Sequence, residues 1–429
     1  MKFLIRGGCV LSLDSSVGNH RQADVLIEHG RIAEIGQNLR SRDAETVDAS
    51  DCIVMPGFVD THRHTWEALL RALGDLDAGD DPPARFLAHL SADDVYAATL
   101  VGLLGALEAG ITTVVDWAEV PEDAIDAALQ AHVDAGIRGV FVRGPVAGDP
   151  DSDAWRASIE SLAGRTHGEL TRLAAGAPGR LTDGANASAD LEAARRAGHR
   201  IHVHVGADEA DRGRLADVAP LLGNDLTLVH CTHLDDSDFE VVAASGVGVS
   251  VCAAAEMSKG FDPPPMQRLL DRSIRPGLGV DTERLAPGDI FAPMRAAISL
   301  QHARYFDLKL AGKGGLPNLL NTREVIRYAT TDGARAVGLA EMTGTLTPGK
   351  TADVIVLRTD RPNIAPVNDP IGAVVWGMDT SNIDWVFVAG VPRLRSGQLD
   401  TDIDRVRRLA TEASSRVATS AGFGSGVRA

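Results

Sequence analysis

Residues 52–64 read CIVMPGFVDTHRH, an apolar run that ends in two histidines separated by one residue. Alternate side chains on an extended strand point the same way, so we expect His62 and His64 to face one side together, as two ligands of one cation must. The alternative interpretation is that the two histidines are structural, buried and hydrogen-bonded to neighbouring groups. No glycine-rich phosphate loop follows the run, which disfavours an open sheet that binds a dinucleotide. The stretch therefore predicts a strand that ends at a polar site.

Seven further apolar runs follow, separated by helical stretches, several of which end in glycine as helices often do. The runs are TTVVDW (112–117), IRGVFVRG (137–144), LTRLAAG (170–176), RIHVHVG (200–206), LTLVHC (226–231), GVGVSVC (246–252) and IRPGLGVD (274–281). Eight repeats of strand and helix between residues 51 and about 340 favour an α/β fold with a closed (β/α)8 barrel of the TIM type. An open, doubly wound parallel sheet is the alternative.

Both ends of the chain differ in sequence pattern from this middle part, because they lack its repeats of strand and helix. The first fifty residues alternate short β-like runs with glycine and polar turns, and similar short runs return from about residue 345. The later runs are TLTPGKTADVIVLRTD (345–360), AVVWGM (373–378) and NIDWVFVAGVPRL (382–394). The predicted domains are a small β-sandwich from residues 1–54 plus 345–398, the barrel from residues 55–344, and a C-terminal helix with a poorly ordered tail from residues 399–429.

Composition excludes several classes of protein. The 429 residues are 44% hydrophobic and 24% charged, which is typical of a globular protein and not of a disordered one. A net charge of −17 repels phosphate and anionic lipid, so neither nucleic acid nor membrane is an expected partner. Four cysteines without close pairing are typical of the reduced cytoplasm. We therefore expect a cytoplasmic protein that binds a small molecule. We also expect it to form a homo-oligomer, a dimer or larger.

Side chains that bind metals also occupy the ends of three later strands. His204 ends the fifth predicted barrel strand, His230 ends the sixth and Asp281 ends the eighth. Active groups of such barrels lie where the strands end, so these side chains are expected to meet His62 and His64. Imidazole suits zinc or ferrous iron. The sequence therefore predicts a metal site, and a helix cap at Asp281 with structural histidines elsewhere is the alternative.

Five runs taken together match a known group of enzymes. They are IVMPGFVDTHRH (53–64), HVHV (202–205), LVHC (228–231), GLGVD (277–281) and GTLTPGKTADVIVL (344–357). This combination resembles the metal-dependent amidohydrolase superfamily, in the branch that contains cytosine deaminase, aminohydrolases and triazine hydrolases. The resemblance implies a (β/α)8 barrel, a small β-sandwich domain from both termini, and one divalent metal, zinc with ferrous iron as the alternative. The implied metal ligands are His62, His64, His204 and Asp281, with His230 beside the hydroxide or the reacting group.

The chain departs from these apparent relatives in two places. Many deaminases of the branch carry a glutamate three residues after the strand-five histidine, where it moves a proton to the leaving nitrogen. This chain has Ala207 there, with Asp208 and Glu209 beyond it. Members with two metals bridge them through a carboxylated lysine on strand four, and residues 133–258 contain no lysine. We therefore expect one metal.

The predicted reaction is hydrolysis of a non-peptide, amide-type carbon–nitrogen bond of a small molecule by metal-activated hydroxide. A divalent cation lowers the pKa of bound water from about 16 to about 7, and Asp281 is placed to take the proton and return it to the leaving nitrogen. His230 is expected to stabilise the oxyanion or to orient the hydroxide. The alternatives are an aminohydrolase (deaminase) of an amino-substituted N-heterocycle, a silent interaction protein, and an isomerase or lyase on the same barrel.

Other residues near strand ends are candidates for contact with the substrate. They are Trp66, Trp117, Arg143, His233 and Glu256. Packing of the tryptophans, salt bridges of Arg143 and Glu256, and a supporting or surface role of His233 are the alternatives. His202 shares a strand face with His204 but lies deeper, which indicates a layer beneath the metal. The acidic segment GDLDAGDDPPARF (74–86) is interpreted as a solvated loop, with a lid over the site as the alternative.

Overall fold

The computed structural model describes residues 1–72, 82–146, 152–165 and 167–422, and its strands form two separate sheets. The strands are β1 (Lys2–Leu11), β2 (Asn19–Glu28), β3 (Arg31–Gly36), β4 (Glu45–Asp48), β5 (Cys52–Pro56), β6 (Phe58–Arg63), β7 (Ile111–Ala118), β8 (Arg138–Arg143), β9 (Thr171–Gly176), β10 (Arg200–Val205), β11 (Leu226–His230), β12 (Gly248–Val251), β13 (Gly277–Leu278), β14 (Val354–Arg358), β15 (Ile383–Val388), β16 (Val391–Arg395) and β17 (Gln398–Leu399). The α-helices are α1 (Pro82–Leu87), α2 (Ala92–Glu108), α3 (Ile125–Ala135), α4 (Ser152–Leu162), α5 (Ala185–Arg196), α6 (Asp236–Ser245), α7 (Ala253–Lys259), α8 (Met266–Asp271), α9 (Phe291–Leu310), α10 (Thr322–Tyr328), α11 (Thr331–Ala336), α12 (Pro370–Gly372) and α13 (Ile403–Ser420).

Strands β6 to β13 pair in parallel, each with the next in chain order, and the first and last strands meet to close a barrel. The closure lies at the predicted metal ligands. The backbone N–H of Asp281 donates to the carbonyl of His62 at 2.9 Å, and the backbone N–H of His64 donates to the carbonyl of Asp281 at 2.8 Å. The predicted (β/α)8 barrel is confirmed, and the open sheet is excluded.

Alternation along β10 shows how the barrel sorts its side chains. Ile201, Val203 and Val205 are buried in the large apolar core that includes residues of the surrounding helices. His202 and His204 alternate with them and therefore face the barrel interior. The apolar outer face holds the helices in place, which leaves the inner face free to carry polar groups.

The two ends of the chain form one nine-stranded sheet with the order β17-β16-β15-β14-β5-β1-β2-β3, and β4 lies beside β1. The N-terminal and C-terminal strands meet where β14 pairs antiparallel with β5, with Ile355 opposite Met55. The predicted sheet from both termini is confirmed. The exact domain limits remain a prediction.

Two of the predicted strands differ from the structure. The run CIVMPGFVD forms two strands, because the chain leaves the terminal sheet at Pro56 and enters the barrel at Phe58. Gly57 lies between them, and a Cβ atom there would come within 2.2 Å of the Thr112 side chain, so this crossing needs glycine. The run AVVWGM is helical, since residues 373–377 form a π-helical turn after α12. A short apolar run does not by itself distinguish a strand from a buried helix.

The C-terminal part of the chain is a helix, α13, at the place where the sequence predicts one. Two sequence predictions lie outside the described residues: the order of the tail at 423–429, and the role of the acidic segment over residues 74–81. Within the described ranges, no helix has the length and apolar character that a membrane span needs.

A buried ion pair joins the barrel to the terminal sheet. Arg138 donates from Nε to Asp353 Oδ2 at 2.8 Å and from Nη2 to Oδ1 at 3.0 Å. Oδ1 of Asp353 also accepts from the backbone N–H of Ala389 at 2.7 Å. Both charged side chains are almost fully buried, so neither can replace its partner with water.

Arg138→Met is expected to lower the free energy of unfolding by about 3–5 kcal/mol, because Asp353 would keep a buried charge with no cation beside it. Urea denaturation followed by circular dichroism measures this change. The control is Arg195→Met, which breaks the partly exposed pair between Arg195 and Asp225 and should cost about 0–1 kcal/mol. Equal losses in the two variants would contradict the role given to Arg138.

Candidate active site

Four histidines and one aspartate converge at the end of the barrel where the strands finish. His62 Nε2 lies 3.1 Å from His204 Nε2, and Asp281 Oδ1 lies 3.7 Å from His62 Nε2 and 3.6 Å from His64 Nε2. The ligand atoms of His62, His64 and His204 all lie within 4.8 Å of one another, and so do those of His62, His230 and Asp281. The structure thus brings together the five residues that the strand ends indicated.

The chemistry of this set fits a divalent metal. Oδ1 of Asp281 is buried and makes no hydrogen bond within the described residues. The facing nitrogens of His62 and His204 lie 3.1 Å apart, so when neither carries a proton their lone pairs point into one shared space. A cation between these groups would accept a lone pair from each. Three imidazoles and a carboxylate are ligands that zinc takes.

Burial and charge favour the metal-binding forms of His62, His204 and Asp281. Burial lowers the pKa of His62 and of His204 well below the usual value, and the neighbouring histidines lower it further. Both rings are therefore neutral at pH 7, as metal ligands must be. Burial alone would raise the pKa of Asp281, but the ammonium of Lys259 and the nearby histidines outweigh it and hold this pKa below its usual range. Asp281 is therefore an anion. For His64, burial lowers the pKa, but the neighbouring Glu119 carboxylate outweighs burial and raises this pKa to about 9, so the ring must release a proton when it binds a metal.

Strained backbone lies at the ends of two strands of the site. His230 and Cys231 have φ angles of 75° and 59°, and Asp281 has a φ angle of 65°, in the left-handed region that residues with a Cβ rarely adopt. Each such residue costs on the order of 1–3 kcal/mol and persists where its surroundings hold it. The hydrogen bonds that close the barrel hold Asp281, and a 2.8 Å bond from Cys231 N to the Val205 carbonyl holds the other end.

A buried carboxylate supports His230. Glu256 of α7 is fully buried, and its Oε1 lies 3.1 Å from His230 Nδ1 and accepts from the backbone N–H of Cys252 at 2.8 Å. Glu256 therefore fixes the orientation of the His230 ring through Nδ1. The other ring nitrogen, Nε2, remains available to contact a bound group. Its role in binding substrate, as distinct from holding His230, remains a prediction.

Comparison with known proteins assigns the chain to a family. Residues 53–393 match the sequence profile described as the amidohydrolase family. The chain belongs to the amidohydrolase family. It is a metal-dependent hydrolase that acts on carbon–nitrogen bonds other than peptide bonds.

Named relatives and solved structures resemble this amidohydrolase over almost its whole length. It is 28% identical to the 5-methylthioadenosine/S-adenosylhomocysteine deaminase of Symbiobacterium thermophilum, over 91% of this chain and 92% of the relative. It is also 28% identical to the 5'-deoxyadenosine deaminase of Methanosarcina mazei, over 90% of this chain and 91% of the relative. A zinc-bound adenosine deaminase from Xanthomonas campestris aligns with a TM-score of 0.82 at 22% identity, covering 97% and 98% of the two chains. Zinc-bound atrazine chlorohydrolase TrzN from Arthrobacter aurescens aligns with a TM-score of 0.82 at 23% identity, covering 96% and 100%. These structures support the barrel fold.

The two tryptophans predicted to contact substrate lie deep in the amidohydrolase. Trp117 is 1% exposed, and its ring centre lies 4.1 Å from that of His204. Trp66 is also 1% exposed and belongs to an apolar cluster that includes Phe86 of α1. Trp117 thus touches a predicted metal ligand, whereas Trp66 packs among helices. Contact of either ring with substrate remains a prediction.

Arg143 and His233, two further candidates, contact other groups of the amidohydrolase. Arg143 is buried, and its guanidinium donates to Ser158 Oγ at 3.1 Å and to the Gly144 carbonyl at 2.6 Å. His233 Nδ1 lies 3.2 Å from Oδ2 of the partly exposed Asp262. Neither contact belongs to the metal cluster, and a role for these side chains in binding substrate remains a prediction.

Three charged residues at the site were not singled out from the sequence. Lys259 ends α7, and its Nζ lies 2.7 Å from Asp281 Oδ2. Glu119 follows the last residue of β7, and its Oε2 lies 3.3 Å from His64 Nδ1. Glu67 lies in the short 3-10 helix Thr65–Leu70 and accepts a hydrogen bond from the hydroxyl of Thr282. Glu67 and Glu119 each follow a predicted barrel strand closely, and this position is the signal that could have marked them as candidates. Lys259 lies at the end of the helix that follows its strand and carries no such signal.

Proposed function

We propose that this amidohydrolase hydrolyses an amide-type carbon–nitrogen bond of a small molecule, with one zinc ion held by His62, His64, His204 and Asp281. When bound, the cation supplies hydroxide at neutral pH by lowering the pKa of water to about 7, and it polarises the bond under attack. The three imidazoles and the anionic carboxylate of the cluster support this ligand set.

Asp281 moves the proton in this proposal. Its Oδ1 faces His62 and His64, and its Oδ2 binds Lys259, so the carboxylate is held from two sides. As an anion it accepts the proton of the attacking water, and it returns this proton to the leaving nitrogen. His230, held by Glu256 through Nδ1, is placed to orient the attacking water or the oxyanion that develops on the substrate.

One observation favours amide hydrolysis over ring deamination, namely the identity of the side chain three residues after His204. Ring deamination needs a proton on the ring nitrogen as hydroxide adds, and the methyl group of Ala207 cannot donate one. Asp208 is exposed, and hydrogen bonds from Arg180 lower its pKa to about 2, so it carries no proton at pH 7. Glu209 is exposed as well. An amide carbonyl needs no such donor, because the metal and His230 can stabilise its oxyanion.

Deamination of an amino-substituted heterocycle is the second candidate. The names of the relatives from Symbiobacterium thermophilum and Methanosarcina mazei favour it, since one is a 5-methylthioadenosine/S-adenosylhomocysteine deaminase and the other a 5'-deoxyadenosine deaminase. Glu67 is the acid that this reaction would use. Burial raises the pKa of its carboxyl, which favours the protonated form that a ring nitrogen requires.

Purified protein reconstituted with zinc is expected to release amine from small amides or cyclic ureas, and little ammonia from aminopyrimidines, aminopurines or aminotriazines. Amine and ammonia are measured separately, and incorporation of labelled water into the product distinguishes hydrolysis from isomerisation or elimination. The His204→Ala variant, purified in the same way, controls for contaminating enzymes. A kcat/KM above about 10⁴ M⁻¹s⁻¹ on any aminoheterocycle would select the deaminase instead.

We also propose that the enzyme acts in the cytoplasm as a homo-oligomer, with neither nucleic acid nor membrane as a partner. The proposed domain limits are residues 1–54 plus 345–398, residues 55–344 and residues 399–429. The excess of acidic over basic residues and the sparse, unpaired cysteines support the location and the absence of these partners.

A further inference from the structure

Glu119 directly follows β7. Its carboxylate contacts His64, a proposed metal ligand, and Trp117, whose ring packs beside the metal cluster. Oε1 accepts a hydrogen bond from Trp117 Nε1 at 3.0 Å, and Oε2 lies 3.3 Å from His64 Nδ1. The Glu119 side chain is 20% exposed and that of His64 is 9% exposed, so little water competes for these contacts. Each carboxylate oxygen therefore has one partner within the site.

Trp117 connects the Glu119 carboxylate to two more of the proposed ligands, because its ring packs against both of them. Its ring centre lies 4.1 Å from that of His204 and 5.8 Å from that of His62. The indole is buried and cannot rotate freely, because its N–H is bound to Glu119. One carboxylate thus contacts His64 directly and holds the ring that packs against the other two histidines.

A histidine that binds a metal through one ring nitrogen usually donates the N–H of the other to a carboxylate or a carbonyl. Such a partner fixes both the tautomer and the orientation of the ring. His64 Nδ1 makes no hydrogen bond of good geometry among the described residues, and the Glu119 carboxylate at 3.3 Å is the charged group beside it, as Glu256 is beside His230 Nδ1. Glu119 is therefore the residue placed to direct Nε2 of His64 at the metal.

We propose that Glu119 is a positioning residue of the metal site, which orients His64 directly and His204 through Trp117. This inference rests on the proposed metal site. It assigns Glu119 no contact with substrate. Its effect is to hold the ligands in the geometry of the bound ion before the ion arrives, so the loss of Glu119 should weaken the binding of metal.

Glu119→Gln tests the proposal, because glutamine keeps the size of the side chain but has one acceptor oxygen and no charge. The dissociation constant of zinc is measured on the full-length protein by competition with a chromophoric chelator. We expect zinc binding to be weaker by about 10–100-fold, the usual effect of removing such a partner. The visible spectrum of the cobalt-substituted protein should also change, while the far-UV circular dichroism stays that of the wild type.

Glu122→Gln is the matched control, since the same change is made three residues away on a side chain that is 60% exposed and faces Arg143. Its zinc affinity should equal that of the wild type. If the wild type binds no zinc, the proposed metal site itself fails. If the wild type binds zinc and Glu119→Gln binds it equally well, the positioning role is wrong. Should Glu119→Gln not fold, Glu119→Asp replaces it: this side chain is too short to span both partners, and wild-type affinity in a folded Asp variant would overturn the proposal.

Discussion

Asp281→Asn is expected to lower kcat by about 10²–10⁴, the usual contribution of a general acid–base group. Asparagine keeps the shape of the side chain and one oxygen toward the histidines, but it cannot accept a proton and pass it on. The change also removes the anion that Lys259 binds at 2.7 Å. Steady-state kinetics on the best substrate of the amide panel measures the loss, and elemental analysis of the same sample reports whether zinc is retained.

Asp208→Asn is the control for that experiment, because Asp208 is exposed and binds Arg180 outside the metal cluster. Its kcat should match that of the wild type. If Asp281→Asn keeps both its zinc and its activity, the proton is moved by another group. Glu67 is then the first candidate, since its carboxyl is buried and bound to Thr282, the residue next to Asp281.

His204→Ala is expected to abolish retention of metal, whereas the wild type should carry one equivalent of zinc per chain. The substitution removes one of three neutral ligands, and the remaining groups cannot complete a four-coordinate site. Elemental analysis after purification without chelator measures both values. A reproducible second equivalent in the wild type, with both ions needed for activity, would contradict the single-metal site.

His202→Ala is the matched control for the loss of metal. His202 lies on the same strand face as His204 but deeper, and burial, followed by the charge of Arg200, lowers its pKa to about 3. Neither of its ring nitrogens has a hydrogen-bond partner among the described residues. This variant should keep its zinc. Loss of zinc from His202→Ala but not from His204→Ala would exchange the roles of the two histidines.

The barrel and the cluster of ligand-type residues could be predicted from the sequence because both follow from local periodicity. Alternation places His62 with His64, and His202 with His204, and parallel strands of a closed barrel bring their carboxyl ends to one face. No long-range information is needed for these steps. The same logic located His230 and Asp281, although β13 itself is only two residues long.

The remaining features depend on tertiary contacts that no local pattern records. Lys259 reaches Asp281 from the end of a helix, and Glu119 reaches His64 from a loop, so the direction of each side chain depends on how separate elements pack. The division of the run CIVMPGFVD at Gly57 could not be predicted either, because apolar residues stand on both sides of the glycine. Only the steric contact with Thr112 shows why a glycine stands there.

The hydrogen bonds that close the barrel run through the same residues that are proposed to hold the metal. His62 lies in the first barrel strand and His64 directly follows it, whereas Asp281 follows the last strand, so the ligand set spans the seam of the barrel. During synthesis the set is incomplete until the last strand has left the ribosome. An ion that binds only the closed seam stabilises it by RT ln(1 + [M]/Kd), which makes metal loading and barrel closure one linked equilibrium. The ion would hold the first and last strands together. When metal is scarce, the first measurable effect should be faster proteolytic cleavage near the seam.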